Sequence, residues 1–480
     1  MKQRNKLALI VFIVGVFMSA LDNGIISSAL TTINYAFHVS TVQGTWGITL
    51  YTLGIAVTTP IAGKLADKYG RRRLFLIEIT LFAFGSLLVA LSPSFSFFLI
   101  ARVVQSLGGG GIFIIASSYI LATYTPAQQG GLLGALGAVN GIASVVGPNL
   151  GSLVLNLTGS WHWLFLINLP IAVIVVISGW LVIPETKNEL VKALDYKGLL
   201  VLTLGILSLM LAITNIEAGS LLASLEQGKV WGLMLLSGLL FSLFIQLEKR
   251  VSARVDPFLP YNLLRSRGFG LTLFMGLLTG ALIAIFVFIP SFVEQRYGVT
   301  ANNSGIGMSA IGLGAIIGAG VGGGLVTKLG ASRTIVISGI LATLGFALIA
   351  FLSPNLGWFI VNSGLTGIGF GMLMGAPLSV LMSQIAPATD NGVALGTLSV
   401  SRQVGLTLAP TFYATIVQNR FGSLIGAQTV ETFYRHLSSA AQLQSFQQVA
   451  QLAYRNMFSL AVGAAGLILL SGFYLQRRGL

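Results

Sequence analysis

"GKLADKYGRRR", residues 63–73, sets five bases and one acid among eleven positions of a 480-residue chain in which only 8% of residues are Asp, Glu, Lys or Arg. Its flanks, Trp46 to Ala62 and Leu74 to Ala90, are almost free of charge. An ordinary soluble domain carries about three times that charged fraction. With 55% hydrophobic residues and a mean hydropathy of +0.88, the chain reads as a membrane protein. The charged stretch then reads as the loop between two spans.

Apolar stretches of roughly 20 residues, enough to cross a hydrocarbon core of about 30 Å, recur along the whole chain. Fourteen are expected, at 6–30, 43–66, 73–92, 96–122, 131–156, 161–183, 198–216, 230–248, 268–293, 303–327, 333–352, 356–384, 392–417 and 455–476. Each must be helical, because backbone amides facing lipid have to find partners within their own segment. The expected fold class is an all-α polytopic membrane protein. Lys2, Arg4 and Lys6 ahead of an apolar run resemble a signal peptide, but the apolar character continues to Leu30. The segment is expected to stay uncleaved.

The net charge of +14 is explained by its distribution. With the N-terminus placed in the cytoplasm, most of the 27 Lys and Arg fall on that side: at the N-terminus, in 64–73, at Lys187, Lys192 and Lys197, between Lys249 and Arg267, at Lys328 and Arg333, and at Arg477 and Arg478. Only Lys229, Arg296, Arg420, Arg435 and Arg455 fall outside, and Arg102 and Arg402 fall within the membrane. The positive-inside rule therefore places both termini in the cytoplasm. No groove-reading motif accompanies the positive charge, so nucleic acid is not an expected partner. The chain has no Cys, which excludes thiolate chemistry.

The chain also repeats itself. "LSPSFSFFLI" at 91–100 returns as "LSPNLGWFIV" at 352–361, and Gly63, Lys68, Gly70 and Arg73 return as Gly323, Lys328, Gly330 and Arg333. Leu133, Gly134, Gly147 and Pro148 have counterparts in Leu395, Gly396, Ala409 and Pro410. All three matches sit at nearly one offset, so the chain reads as a tandem duplication of a six-helix unit with two extra spans between the copies. The expected division is 1–190 for the first bundle, 191–262 for a linker with two helices, and 263–480 for the second bundle with an outer loop at about 418–455. Parallel halves of six helices suit a transporter that rocks around a site near the midplane.

At this point the residues reach a family. "GKLADKYGRRR" resembles the signature loop between the second and third helices of the major facilitator superfamily, "RVVQSLGGGG" at 102–111 resembles its Arg and Gln-Gly motif, and "GPNLGS" at 147–152 resembles the Gly-Pro motif that marks antiporters. Fourteen spans, "LDNGIISSAL" at 21–30 and "WHWLFLINLP" at 161–170 resemble the fourteen-span drug:proton antiporters within it. His162 stands where that family usually has Arg, and Thr31 where it usually has Pro. The resemblance implies that Asp67 meets the start of the thirteenth helix near Asn391.

The charged loop has its own physical reading. Gly63 and Gly70 permit close helix approach and a tight turn, and Asp67 is placed to cap a neighbouring helix N-terminus and hold a gate shut. Lys64, Lys68 and Arg71 to Arg73 serve either the same gate or membrane anchoring. Charges at membrane depth are costly and usually functional. Asp22 lies 16 residues beyond Lys6, about 24 Å along a helix, and Arg102 lies nine residues after Pro93, about 13 Å inward from the other face. Their depths agree to about a turn, so they can pair. An arginine that approaches and withdraws makes such an acid release and take up a proton.

Further candidates are Glu78, five residues into its span and able to snorkel to the cytoplasmic face, Gln105, Asn140, and Arg402, which either touches cargo or bonds free carbonyls. Gly147 and Pro148 read as packing and hinge residues. No Gly-rich run continues into the Lys and Ser/Thr of a nucleotide site, and His38, His162 and His436 are too scattered for a metal site or triad. No cofactor is expected. "AAQLQSFQQVAQLAY" at 440–454 reads as an amphipathic helix in the outer loop, with Leu443, Phe446, Val449 and Leu452 on one face.

The resulting expectation is a monomeric, proton-coupled exporter in the plasma membrane. Its partners are the bilayer, protons and a small hydrophobic or amphiphilic cargo, with lipophilic monocations, neutral compounds and amphiphilic acids favoured over rigid dications. Export of a fatty acid or other lipid is the alternative within the class, and a receptor or scaffold that never transports is the alternative outside it.

Overall fold

The structure is a computed structural model that describes residues 2–186, 193–217, 221–250, 255–299, 305–425 and 440–479. Its long helices are α1 (Lys2–Ala36), α2 (Trp46–Tyr69), α3 (Arg71–Ala90), α4 (Phe95–Gly109), α5 (Ile112–Thr123), α6 (Pro126–Thr158), α7 (Asn168–Val182), α8 (Tyr196–Thr214), α9 (Gly228–Arg250), α10 (Arg267–Ala284), α11 (Ile289–Tyr297), α12 (Ile306–Leu329), α13 (Ala331–Phe351), α14 (Leu356–Met374), α15 (Pro377–Ile385), α16 (Asn391–Ile425) and α17 (Ala440–Arg477). Three expected spans are each two helices in line: α4 with α5, broken at Gly110–Gly111; α10 with α11, joined through a 3-10 turn at Ile285–Phe288; and α14 with α15, broken at Gly375–Ala376.

Thirteen spans among the described residues are long and apolar enough to cross a membrane. The expected span at 392–417 is not one of them. It lies in α16, whose 35 residues reach about 52 Å but include Arg402, Gln403, Gln418 and Arg420. The outer loop at 418–455 is also corrected. Residues 418–425 continue α16, and 440–455 form the first turns of α17. Phe446 is buried against Phe421, with ring centroids 5.0 Å apart, whereas Leu443 faces outward. The ends of α16 and α17 thus pack on each other. Arg435 and His436 lie outside the described residues, as do Lys187 and Lys192.

The repeat has a structural cause in each copy. Pro93 and Pro354 follow the ends of α3 and α13, and the next residue, Ser94 or Asn355, caps α4 or α14 by accepting a hydrogen bond from the amide of Phe97 or Trp358. Side-chain oxygens at such caps satisfy amides that the first turn leaves without partners. Gly70 and Gly330 hold φ of 103° and 86° between α2 and α3 and between α12 and α13, a region that only glycine enters without strain.

The two halves meet along two seams. In one, α2 crosses α16 with Gly63 on Gly392 and Pro60 on Gly396; in the other, α6 crosses α12 with Gly130 and Gly134 on Gly323. A Cβ on Gly134 would stand 2.7 Å from the Ala319 carbonyl oxygen, and one on Gly396 2.6 Å from the Pro60 Cα. Both seams lie at the end of the molecule that carries Gly70 and Gly330. The chain termini are there too: Arg4 donates to the Val182 carbonyl (3.0 Å), Tyr124 donates to the Asn5 carbonyl (2.8 Å), and Gly472 of α17 packs on Ile335 and Val336.

The helices between the copies, α8 and α9, pack on each other and α8 lies along α2. Asp195 caps α8 by accepting from the amides of Lys197 and Gly198. The segment is closed at its base by a two-stranded parallel pair, β1 (Ala193–Leu194) and β2 (Val255–Asp256), which brings Asp256 to the seam of α2 and α16.

Candidate functional site

Asp22 and Arg102 form a buried ion pair inside the first half. Arg102 Nη1 stands 2.8 Å from Asp22 Oδ2, and the two side chains are 0% and 1% exposed. Arg102 and Gln105 sit three residues apart on α4 and so share a face. Gln105 Nε2 donates to Asp22 Oδ1 and to Ser86 Oγ, both at 2.8 Å, while its Oε1 accepts from Arg102 at 2.5 Å. Gly85 on α3 makes this possible, since a Cβ there would come 2.5 Å from the backbone nitrogen of Gln105. Arg102 also donates to the Gly47 carbonyl (3.2 Å) and stacks 4.0 Å from the centre of the Tyr51 ring.

The surroundings of the pair exceed the sequence reading. Asn168, the first residue of α7, is buried and directs Nδ2 toward Asp22 Oδ1 and Ser86 Oγ at 3.4 Å. A polar residue inside the apolar run of 161–183 was the signal for it. Gly147 and Pro148 of α6 lie against Gly24 of α1, two residues beyond Asp22, at approach distances only glycine allows. They close α6 onto the helix that carries the acid.

The second cluster locks the seam of α2 and α16. Asp67 Oδ2 accepts from the Gly392 amide at 2.8 Å, and Oδ1 pairs with Arg71 Nη2 at 2.6 Å. Arg71 Nε donates to Ser118 Oγ at 2.8 Å. Asp67 therefore caps the start of α16, one residue from Asn391, where its charge meets the positive end of the helix dipole. Lys64 contributes a second clasp that was not foreseen. Its ammonium, 2% exposed, bridges Asp256 Oδ2 (2.9 Å) and Asp390 Oδ1 (3.0 Å). Its partners are 192 and 326 residues away, so spacing along the chain gave no signal.

The five bases thus divide. Lys64 and Arg71 are buried in the seam, while Arg73 is exposed and Lys68 and Arg72 are half-buried. Glu185, at the end of the sixth span, accepts from the amides of Arg72 (3.1 Å) and Arg73 (3.2 Å) and packs against Gly70. Glu78 corrects an expectation as well. It does not snorkel: it is buried and accepts from the Gly111 amide at 2.9 Å, filling the break between α4 and α5 and remaining apart from Asp22.

Between the halves lies a cavity of about 810 Å³. It reaches from Gly137 and Met374 in the middle of the molecule to Val299 and Leu356 at the end opposite the seams. Asn140 and Arg402 are in its wall, together with Pro148. Asp22, Glu78 and Gln105 are not. The cavity's size is that of a site for a small organic molecule.

Two pseudo-repeated bundles around a central cavity, closed at one end and carrying a buried acid–arginine pair, are the architecture of a membrane transporter. Residues 12–410 match the Major Facilitator Superfamily, and the chain belongs to that family. It is a secondary transporter and not an enzyme. It is 53% identical over 424 residues, 88% of its length and 82% of the relative's, to the uncharacterized MFS-type transporter YfiU of Bacillus subtilis. It is 30% identical to Multidrug resistance protein 3 of the same organism, over 87% of this chain and 80% of that one. Among solved structures, the human organic anion transporter MFSD10 aligns with a TM-score of 0.64 at 15% identity over 96% of this chain and 99% of its own. The proton:xylose symporter XylE aligns with 0.61 at 14% identity, over 96% of each chain.

Proposed function

We propose that this transporter is a proton-coupled exporter of hydrophobic and amphiphilic compounds, set in the plasma membrane with both termini and the seams facing the cytoplasm. The observation that carries the reading is the enclosed Asp22–Arg102 pair, two residues along α1 from Gly24, where the Gly147–Pro148 segment of α6 packs while Pro148 also lines the cavity. In the closed-seam state Arg102 is hydrogen-bonded to Asp22. When the halves rock and the seams part, α1, α4 and α6 shift against one another, Arg102 withdraws, and Asp22 takes a proton. Bundles 1–190 and 263–480 are the rocking bodies, with 191–262 joined to the seam through Asp256 and Lys64. The 30% identity to a multidrug resistance protein supports efflux as the direction.

Purified protein in vesicles with an imposed pH gradient tests the reading, screened over a cationic dye, a neutral antibiotic and a fatty acid. Cargo movement is expected only with the gradient and should stop when a protonophore collapses it. Equal accumulation with and without the gradient, for every cargo, would leave a receptor or scaffold as the better description. Orientation has a separate check, because the chain contains no Cys. His38 and Tyr69 are both exposed, at opposite ends of α1 and α2. A cysteine at His38 should react with an impermeant thiol reagent in intact cells, and one at Tyr69 only after permeabilisation. The reverse pattern would invert the topology.

A further inference from the structure

The cavity between the halves carries a single kind of charge. Among the described residues of its wall, Arg402 is the one charged side chain; Phe113, Phe286, Phe370 and Met308 supply apolar surface, and Asn140 and Asn149 supply amides. No hydrogen bond or ion pair of the Arg402 guanidinium is found among the described residues, and its Nε is buried without a partner. The backbone beneath it is held firmly, since the Arg402 carbonyl packs directly onto Gly280 of α10. An arginine placed for structure would bond carbonyls that a helix break frees; this one bonds none. The acids nearest in kind are committed elsewhere, Asp22 to Arg102 and Glu78 to the Gly111 amide.

An unpaired guanidinium at membrane depth is costly, and the group that best relieves it is an oxyanion, which arginine binds through two parallel charge-assisted hydrogen bonds. A small inorganic ion would leave most of about 810 Å³ unfilled. The ligand therefore also brings an apolar body. A lipophilic cation would face Arg402 with no acid among the described residues of the wall to offset it, so of the expected cargoes the monocations do not suit this state.

We propose that the cavity selects lipophilic monoanions, compact apolar molecules bearing one carboxylate or sulfonate, with the anionic group seated on Arg402. The inference rests on the reading that this cavity is the cargo site, and it names the cargo class. An anionic phospholipid headgroup offers the same chemistry as a free amphiphile.

Binding to the full chain in phosphatidylcholine nanodiscs, with empty discs as control, tests this without any gradient. The probes are a dansylated undecanoate, its neutral methyl ester, and a quaternary ammonium of the same chain length. The anion should bind the wild type about tenfold or more tighter than the ester, the scale of a charged hydrogen-bond pair, and the cation should bind more weakly than the ester. Arg402→Gln should erase the preference for the anion while the ester still binds, which also reports that the variant is folded. Arg402→Lys should keep part of the preference. Equal or better binding of the cation by the wild type, or an unchanged anion-to-ester ratio in Arg402→Gln, would overturn the proposal. If Arg402→Gln does not fold, the wild-type series and Arg402→Lys decide it. Added phosphatidylglycerol that competes with the probe marks the lipid headgroup as occupant; no competition marks the free amphiphile. Because no pH gradient enters these measurements, failure of the binding preference and failure of gradient-driven export are separate results.

Discussion

Asp22→Asn is expected to abolish transport driven by a pH gradient while leaving a folded protein that still binds cargo. The amide keeps the shape of the carboxylate and one acceptor for Arg102, but it does not titrate. Loss of about two orders of magnitude is the scale seen when one positioned proton-transfer group is removed. The complication is Arg102, which is left as a buried charge without its counter-ion, and breaking such a pair from one side costs about 3–5 kcal/mol. Gln105 Oε1, the Gly47 carbonyl and the Tyr51 ring remain to offset part of that. The double variant Asp22→Asn with Arg102→Gln removes the orphaned charge altogether. It should raise the yield of folded protein over the single variant without restoring transport. Gradient-driven transport at the wild-type rate in either variant would remove Asp22 from the coupling mechanism.

The pairing of Asp22 with Arg102 was legible because depth in a membrane helix is simple arithmetic, one rise per residue from a marked end, and few charges compete for the same level. The contact of Asp67 with the start of α16 was legible only through family resemblance, since its partner is 325 residues away. Lys64 shows the limit of local reading. Within "GKLADKYGRRR" nothing distinguishes it from Lys68, and its burial is decided by β2 and by a 3-10 turn at Ala388–Asp390 just before α16, which deliver Asp256 and Asp390 to the same point. Glu78 was misplaced for a related reason. Counting residues from the end of its span put it near the surface, whereas the helix break at Gly110–Gly111 exposes an amide that only a buried acceptor can satisfy. The extent of α16 and α17 beyond the apolar segments was hidden because polar helix ends that pack on each other, as Phe421 and Phe446 do, carry no hydropathy signal.

Gly63→Val is expected to shift the molecule out of the closed-seam state without unfolding it. A Cβ at Gly63 would lie 2.5 Å from the carbonyl carbon of Gly392 and closer still to its oxygen. The obstacle is backbone on both sides, so no side chain can swing away. In the state with parted seams the same methyl groups meet no such backbone, and the cost therefore falls on one conformation. Overpacking of about 1–3 kcal/mol lowers the ratio of closed to open roughly five- to 150-fold, because the shift equals the difference in free energy imposed on the two states. Spin labels at Tyr69 and Thr389, exposed positions on either side of the seam, should report a longer distance and transport should fall with the closed population. Asp67→Asn should move the same distance in the same direction by less, since it weakens the bonds to Gly392 and Arg71 but leaves the backbone contact intact, and its transport should remain dependent on the pH gradient. Gly270→Val is the control: nothing lies within 4 Å of a Cβ there, so the label distance should not change. A folded Gly63→Val protein with the wild-type distance distribution would show that the glycine seam does not set the conformational equilibrium.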